Sequence, residues 1–78
     1  MSEEQAKYAS STPNSDFILR LIEEEKELAQ KVGKLDKFIE SDKFKDAGST
    51  QRPLLWHQLK AMKQYLGLLN MRLADLLK

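Results

Sequence analysis

The sequence predicts an all-α fold: an antiparallel hairpin of two long helices, preceded by a short N-terminal helix and assembled as a homo-oligomer. Three observations predict it. Two stretches of similar length carry apolar residues at seven-residue spacing, a turn-forming segment separates them, and the second stretch has one apolar stripe more than a hairpin can bury.

The chain has 78 residues, enough for one domain. At this size a monomeric core is marginal, and disulfides, metals or oligomerisation often supplement it. There is no cysteine and only one histidine, so disulfides and a protein-only zinc site are not expected and no cofactor is implied. Oligomerisation remains. Lys and Arg total 13 against 12 Asp and Glu, for a formal charge of +1. That balance predicts no general attraction to DNA, RNA or an anionic membrane, although it leaves room for a local basic pocket. The opening MSEEQAKYASS lacks the apolar run of a signal peptide, and no stretch approaches the roughly 18 apolar residues of a membrane span.

Residues 1–14 form a polar leader. Ser2, Glu3, Glu4 and Gln5 suit the capped, acidic start of a short helix reaching Tyr8 or Ala9, and Ser10 to Asn14, with Pro13, read as a break. So short a helix needs a surface to dock on, or it is disordered. Residues 15–45 are the first long helix. Asn14 or Ser15 is the expected N-cap and Asp16 lies in the first turn, where the helix dipole favours a negative charge. Leu21, Leu28 and Leu35 form one register of its stripe; Ile18, Val32 and Ile39 form the other, interrupted by Glu25. Gly33 costs roughly 1 kcal/mol against alanine in a helix. It either admits a close neighbour or is simply tolerated. In the connection, Lys43 to Thr50, Gly48 suits a turn, Ser49 or Thr50 a cap, and Pro53 the first turn of the second helix.

Residues 51–77 are the second long helix. Leu55, Leu59, Met62, Leu66, Leu69, Leu73 and Leu76 alternate by four and three, an unbroken a/d seam. At about 1.5 Å per residue both helices run roughly 40 to 45 Å, so they match as a hairpin. Beside the seam lies a second stripe: Leu54, Gln58, Ala61, Tyr65, Leu68 and Arg72. With Trp56 and Leu77 nearby, it would leave a partly apolar patch in a lone hairpin. A second copy of the chain would cover it, and a docked leader would cover part of it.

No catalytic signature is present. There is no Gly-rich phosphate loop and no metal-ligand cluster, Glu23 to Glu25 fan out over a helix surface, and His57 stands alone beside the seam. The Ser and Thr residues are explained by capping, and an enzyme is not expected. Three residues stand out instead. Tyr8 is an aromatic in a polar leader, docking it or stacking on a planar ligand. Lys26 pairs with Glu23 or reaches a phosphate. Arg72 lies in the second stripe, where it snorkels into water or clamps a phosphate or carboxylate at a subunit junction.

The run RLIEEEKELAQKVGKLDKFIESDKFKD followed by LLWHQLKAMKQYLGLLNMRL carries a pattern: R-L-x(2)-E, then K-L-x-K-F-I-x-S-x-x-F, then L-L-x(2)-Q-L-x-A-M-x-x-Y, then R-L. It covers Arg20 to Leu73 and resembles a family of small phage proteins, some from crAss-like phages, which in turn resembles the phage anti-CBASS sponges. The resemblance implies a compact homohexamer of helical hairpins with a short N-terminal helix. It further implies a sponge that sequesters cyclic dinucleotides such as cGAMP between protomers, and in some members cyclic trinucleotides in separate pockets, without breaking a bond. Carried over residue by residue, Tyr8 matches the tyrosine that stacks on a base, Lys26 the lysine on the dinucleotide phosphates, and Arg72 the arginine on the trinucleotide phosphates. Ser11, Thr12 and Asn14 are further polar candidates by proximity. The implied location is the cytoplasm of the infected bacterial host. The competing expectation is a helical structural or adaptor phage protein that binds another protein through the exposed stripe.

Overall fold

The structure is a computed structural model that describes residues 15–78. The expected leader helix, and with it Tyr8, Ser11 and Thr12, lies outside the described residues. Helix α1 spans Ser15–Glu40, a 3₁₀ turn spans Asp42–Ala47, and helix α2 spans Gln51–Leu76. At about 1.5 Å per residue each helix is about 39 Å long. The two pack side by side and antiparallel. Phe17, near the start of α1, meets Arg72 near the end of α2, while Asp36 meets Lys63 close to the connection.

The seam is where the sequence places it. All seven seam residues of α2 are buried or half-buried, with Leu59 and Leu69 at 1% and 0% exposure. On α1, Leu21, Val32 and Ile39 are buried and Ile18, Leu28 and Leu35 half-buried. Val32, Ile39 and Leu59 centre the main cluster, with Leu28, Leu35, Leu55, Met62 and Leu66 packed around them. Full burial of such a side chain stabilises by about 1.5–3 kcal/mol. Glu25, which interrupts the α1 stripe, is half-buried at the margin.

The first helix stops at Glu40, short of the expected Lys45. Ser41 turns extended, at φ −86° and ψ 163°, and its Oγ and backbone N–H both donate to the Phe38 carbonyl at 2.6 and 3.0 Å. The break re-aims Phe44. In an uninterrupted helix Phe44 would lie five residues beyond Ile39, about 140° around the axis and away from the seam. In the 3₁₀ turn it is half-buried, packs on the core cluster, and meets Phe38 edge-on at 6.2 Å between ring centroids. An edge-on pair is the arrangement that aromatic quadrupoles favour. No glycine or proline marks this stop; the local Ser41 bonds and the packing of Phe44 make it together.

Gly48 has φ +98°, a backbone conformation in which L side chains are strained, and it lets the chain reverse into α2. The Gly48 carbonyl accepts the Arg52 N–H at 3.0 Å, and Pro53 sits in the first turn as expected. Thr50 holds the N-cap position, but its side chain makes no capping hydrogen bond. Gly33 and Gly67 are both exposed, and a Cβ added to either would meet nothing within 4 Å. Neither glycine is needed for the two helices to approach each other.

Two 26-residue helices side by side make the described hairpin long and thin. One side chain tests the corner. Phe44→Ala is expected to cost about 2 kcal/mol, roughly half the value for a fully buried Phe. The melting temperature, followed by circular dichroism at 222 nm, should fall by roughly 8–16 °C. A melt unchanged from the wild type would mean that the 3₁₀ turn is not anchored by this ring.

Candidate functional site

Two antiparallel helices joined by an a/d seam have two long edges, one built from g positions and the other from e positions. The g edge carries Phe17, Glu24 and Lys31 on α1 and Gln58, Tyr65 and Arg72 on α2. Its cross-helix rungs repeat one heptad apart. Phe17 faces Arg72, and Glu24 accepts a hydrogen bond from the Tyr65 hydroxyl. The e edge carries the ion pair between Lys63 Nζ and Asp36 Oδ2, at 3.7 Å. Both partners of that pair are about half exposed, so it contributes at most about 1 kcal/mol.

The second stripe of α2 lies along the g edge. Leu54, Gln58, Ala61, Tyr65, Leu68 and Arg72 are all exposed, Leu54 and Leu68 by more than half. Phe17, Leu19, Trp56, Met71 and Leu77 are further large apolar side chains left at the surface. A monomer this small does not ordinarily show so much apolar area.

Arg72 does more than snorkel. Its Cζ stands 5.8 Å from the centroid of the Phe17 ring, within cation–π range. It forms no ion pair with a described residue. Asp75, one turn further along, pairs with Lys78 at 3.3 Å instead. Lys26 is exposed and likewise forms no ion pair with a described residue, so the intrahelical pair with Glu23 is not made. Lys26 is two residues from Glu24 and hence about 200° around α1 from it. That places Lys26 toward the e side of the hairpin and Arg72 on the g edge. The two cations do not share a site within one chain.

His57 is exposed and isolated, and among the described residues no group of three His, Cys, Asp or Glu could hold a metal ion. No helix of the described residues is long and apolar enough to cross a membrane. Sequence reasoning missed Phe17 as a partner of Arg72, and it read Glu24 as merely solvated. The signal was there in the register. The pairs 17/72 and 24/65 are successive g–g rungs of an antiparallel coiled coil, visible once the two seams are aligned.

Fold and edges together define a helical hairpin that presents guanidinium and ammonium groups on separate sides of a thin scaffold. The family model called Sequestin matches residues 15–75, most of the chain and all but the last residue of α2. The chain belongs to the Sequestin family, in agreement with its resemblance to the anti-CBASS sponges. No curated protein and no solved structure matches it.

The Glu24–Tyr65 rung can be measured directly. Tyr65→Phe is expected to cost about 0.5–1.5 kcal/mol in urea denaturation, the usual net worth of one hydrogen bond. In a double-mutant cycle with Glu24→Gln, most of that loss should appear as coupling between the two sites. A coupling of zero would show that the rung does not help to hold the helices together.

Proposed function

We propose that this protein is a phage anti-defence sponge. It binds cyclic di- and trinucleotide signals in the cytoplasm of the infected bacterium and holds them without cleaving them. The observation that carries this reading is membership of the Sequestin family over residues 15–75. Two features of the molecule support it.

The first is the pair of separated cations. Phosphate recognition calls for charged donors that are not already neutralised. Lys26 and Arg72 are both exposed and free of ion pairs with described residues. Their separation suits two distinct pockets, one for dinucleotide phosphates at Lys26 and one for trinucleotide phosphates at Arg72. Tyr8 would stack on a base, with Ser11 and Thr12 as polar contacts, as the resemblance implies.

The second is the surface the chain leaves uncovered. Among the described residues it leaves Leu19, Leu54, Trp56, Leu68, Met71 and Leu77 each more than half exposed. A homo-oligomer, a hexamer by resemblance, would cover the apolar g edge and create junctions deep enough to enclose a ligand. A slab of two helices cannot enclose one alone. The exposed stripe also favours a second reading, a helical adaptor that docks on another phage protein.

Light scattering and thermal melts separate these readings. The sponge predicts a particle several times 9.0 kDa. It also predicts a rise in melting temperature with cyclic dinucleotides such as cGAMP or with cyclic trinucleotides. Free ligand at about a thousand times Kd adds about 4 kcal/mol. Ligand recovered by denaturing the complex should be chemically intact. Lys26→Ala should selectively weaken dinucleotide binding and Arg72→Ala trinucleotide binding. A panel of cyclic di- and trinucleotides that leaves the melt unmoved would remove the sponge reading and favour the adaptor.

A further inference from the structure

Arg72 has one partner among the described residues, and it is a ring rather than a carboxylate. The difference has chemical consequences. A carboxylate would also fix the guanidinium in place, but it would neutralise the charge and occupy the in-plane N–H donors. A phosphate needs those same donors, in the same fork geometry. An aromatic face attracts the cation through its quadrupole and leaves the charge and the five N–H groups available. Two carboxylates, one on its own helix and one along the g edge, are engaged elsewhere, and Asp16, next to Phe17, forms no ion pair with Arg72. Asp75, three residues after Arg72, pairs with Lys78 at 3.3 Å, and Glu24, one heptad along the g edge, accepts the Tyr65 hydroxyl.

We propose that Phe17 is a positioning residue: its ring holds the Arg72 guanidinium in a fixed, un-neutralised orientation at the open end of the hairpin, ready for a ligand phosphate. This rests on the reading of Arg72 as a phosphate contact. Phe17 is 36% exposed, at the first turn of α1, and it lies outside the buried cluster. Its ring is therefore free to serve Arg72 instead of the core. The part of the arginine's rotamer freedom already lost to stacking on the ring is not lost again on binding.

The test uses the full-length chain, cyclic tri-adenylate and cGAMP as probes, and the variants Phe17→Leu, Phe17→Tyr and Arg72→Ala. In the unliganded wild type, the Arg72 Nε–H resonance should be displaced by the ring current. Phe17→Tyr should keep that displacement and Phe17→Leu should abolish it. Phe17→Leu should weaken cyclic tri-adenylate binding by about two- to five-fold, the span of an exposed cation–π contact. Phe17→Tyr should restore it. The ratio of trinucleotide to dinucleotide affinity should fall in Phe17→Leu, which a general loss of fold or assembly would not produce. If Arg72→Ala weakens trinucleotide binding while Phe17→Leu binds like the wild type, the proposal is overturned and the sponge reading stands. If the wild type binds neither probe, the reading beneath has failed and the proposal falls with it. An unmoved Nε–H resonance in Phe17→Leu overturns it regardless of binding.

Discussion

The a/d seam is the constraint on which every other feature of this hairpin depends. Leu59 and Leu69 are wholly buried, and they are buried only because α1 returns alongside α2 with Leu21, Val32 and Ile39 facing them. An antiparallel seam allows little choice of register, since slipping either helix along the other would move its apolar residues out of the facing holes. Once the register is set, the edges are determined without further information. Phe17 must lie opposite Arg72, Glu24 opposite Tyr65, and Asp36 opposite Lys63. The positions of the surface groups are thus a by-product of how the core closes.

The same constraint explains what could be read from residues alone. A heptad repeat is a local signal, so the helices, the seam and the uncovered second stripe were all legible from spacing. The end of α1 was not. Residues Lys37 to Phe44 contain no glycine or proline, and the one local cue is the weak helix-forming pair Ser41-Asp42. The stop also depends on Phe44 reaching Phe38 and the core cluster, which is a tertiary event. The site was legible only in part. Lys26 and Arg72 could be singled out as cations with weak local explanations. The Phe17–Arg72 contact joins residues at opposite ends of the hairpin sequence, so it emerges only when the two seams are set in register. Gly33 was open to two explanations by sequence, and the hairpin itself gives it no packing role.

A seam of this kind also leaves a molecule unfinished. Two helices bury one stripe each, and the chain carries three. The g edge is the remainder: apolar enough at Leu54, Tyr65 and Leu68 to be costly in water, yet bearing Arg72, whose charge resists simple burial. A partner surface that covered this edge without supplying an anion would strand a guanidinium. A partner surface that brought an anionic ligand with it would not. The composition of the edge therefore fits a junction completed by an anion, a carboxylate or the phosphate of the proposed ligand, better than a dry helix–helix contact.

If ligand and second copy meet at the same edge, their affinities are linked. A site that exists only between copies is absent from the separated hairpin, so ligand binds the assembly and not the monomer. By mass action the ligand then stabilises the assembly, and whatever stabilises the assembly tightens the ligand, by the same free energy in each direction. For a sponge this coupling is useful. Capture needs no chemistry, only a complex that dissociates slowly, and a ligand enclosed at a junction leaves only when the junction opens. Under the proposed function, the charged, half-apolar edge of the hairpin would serve as one wall of a chamber shared with its own copies.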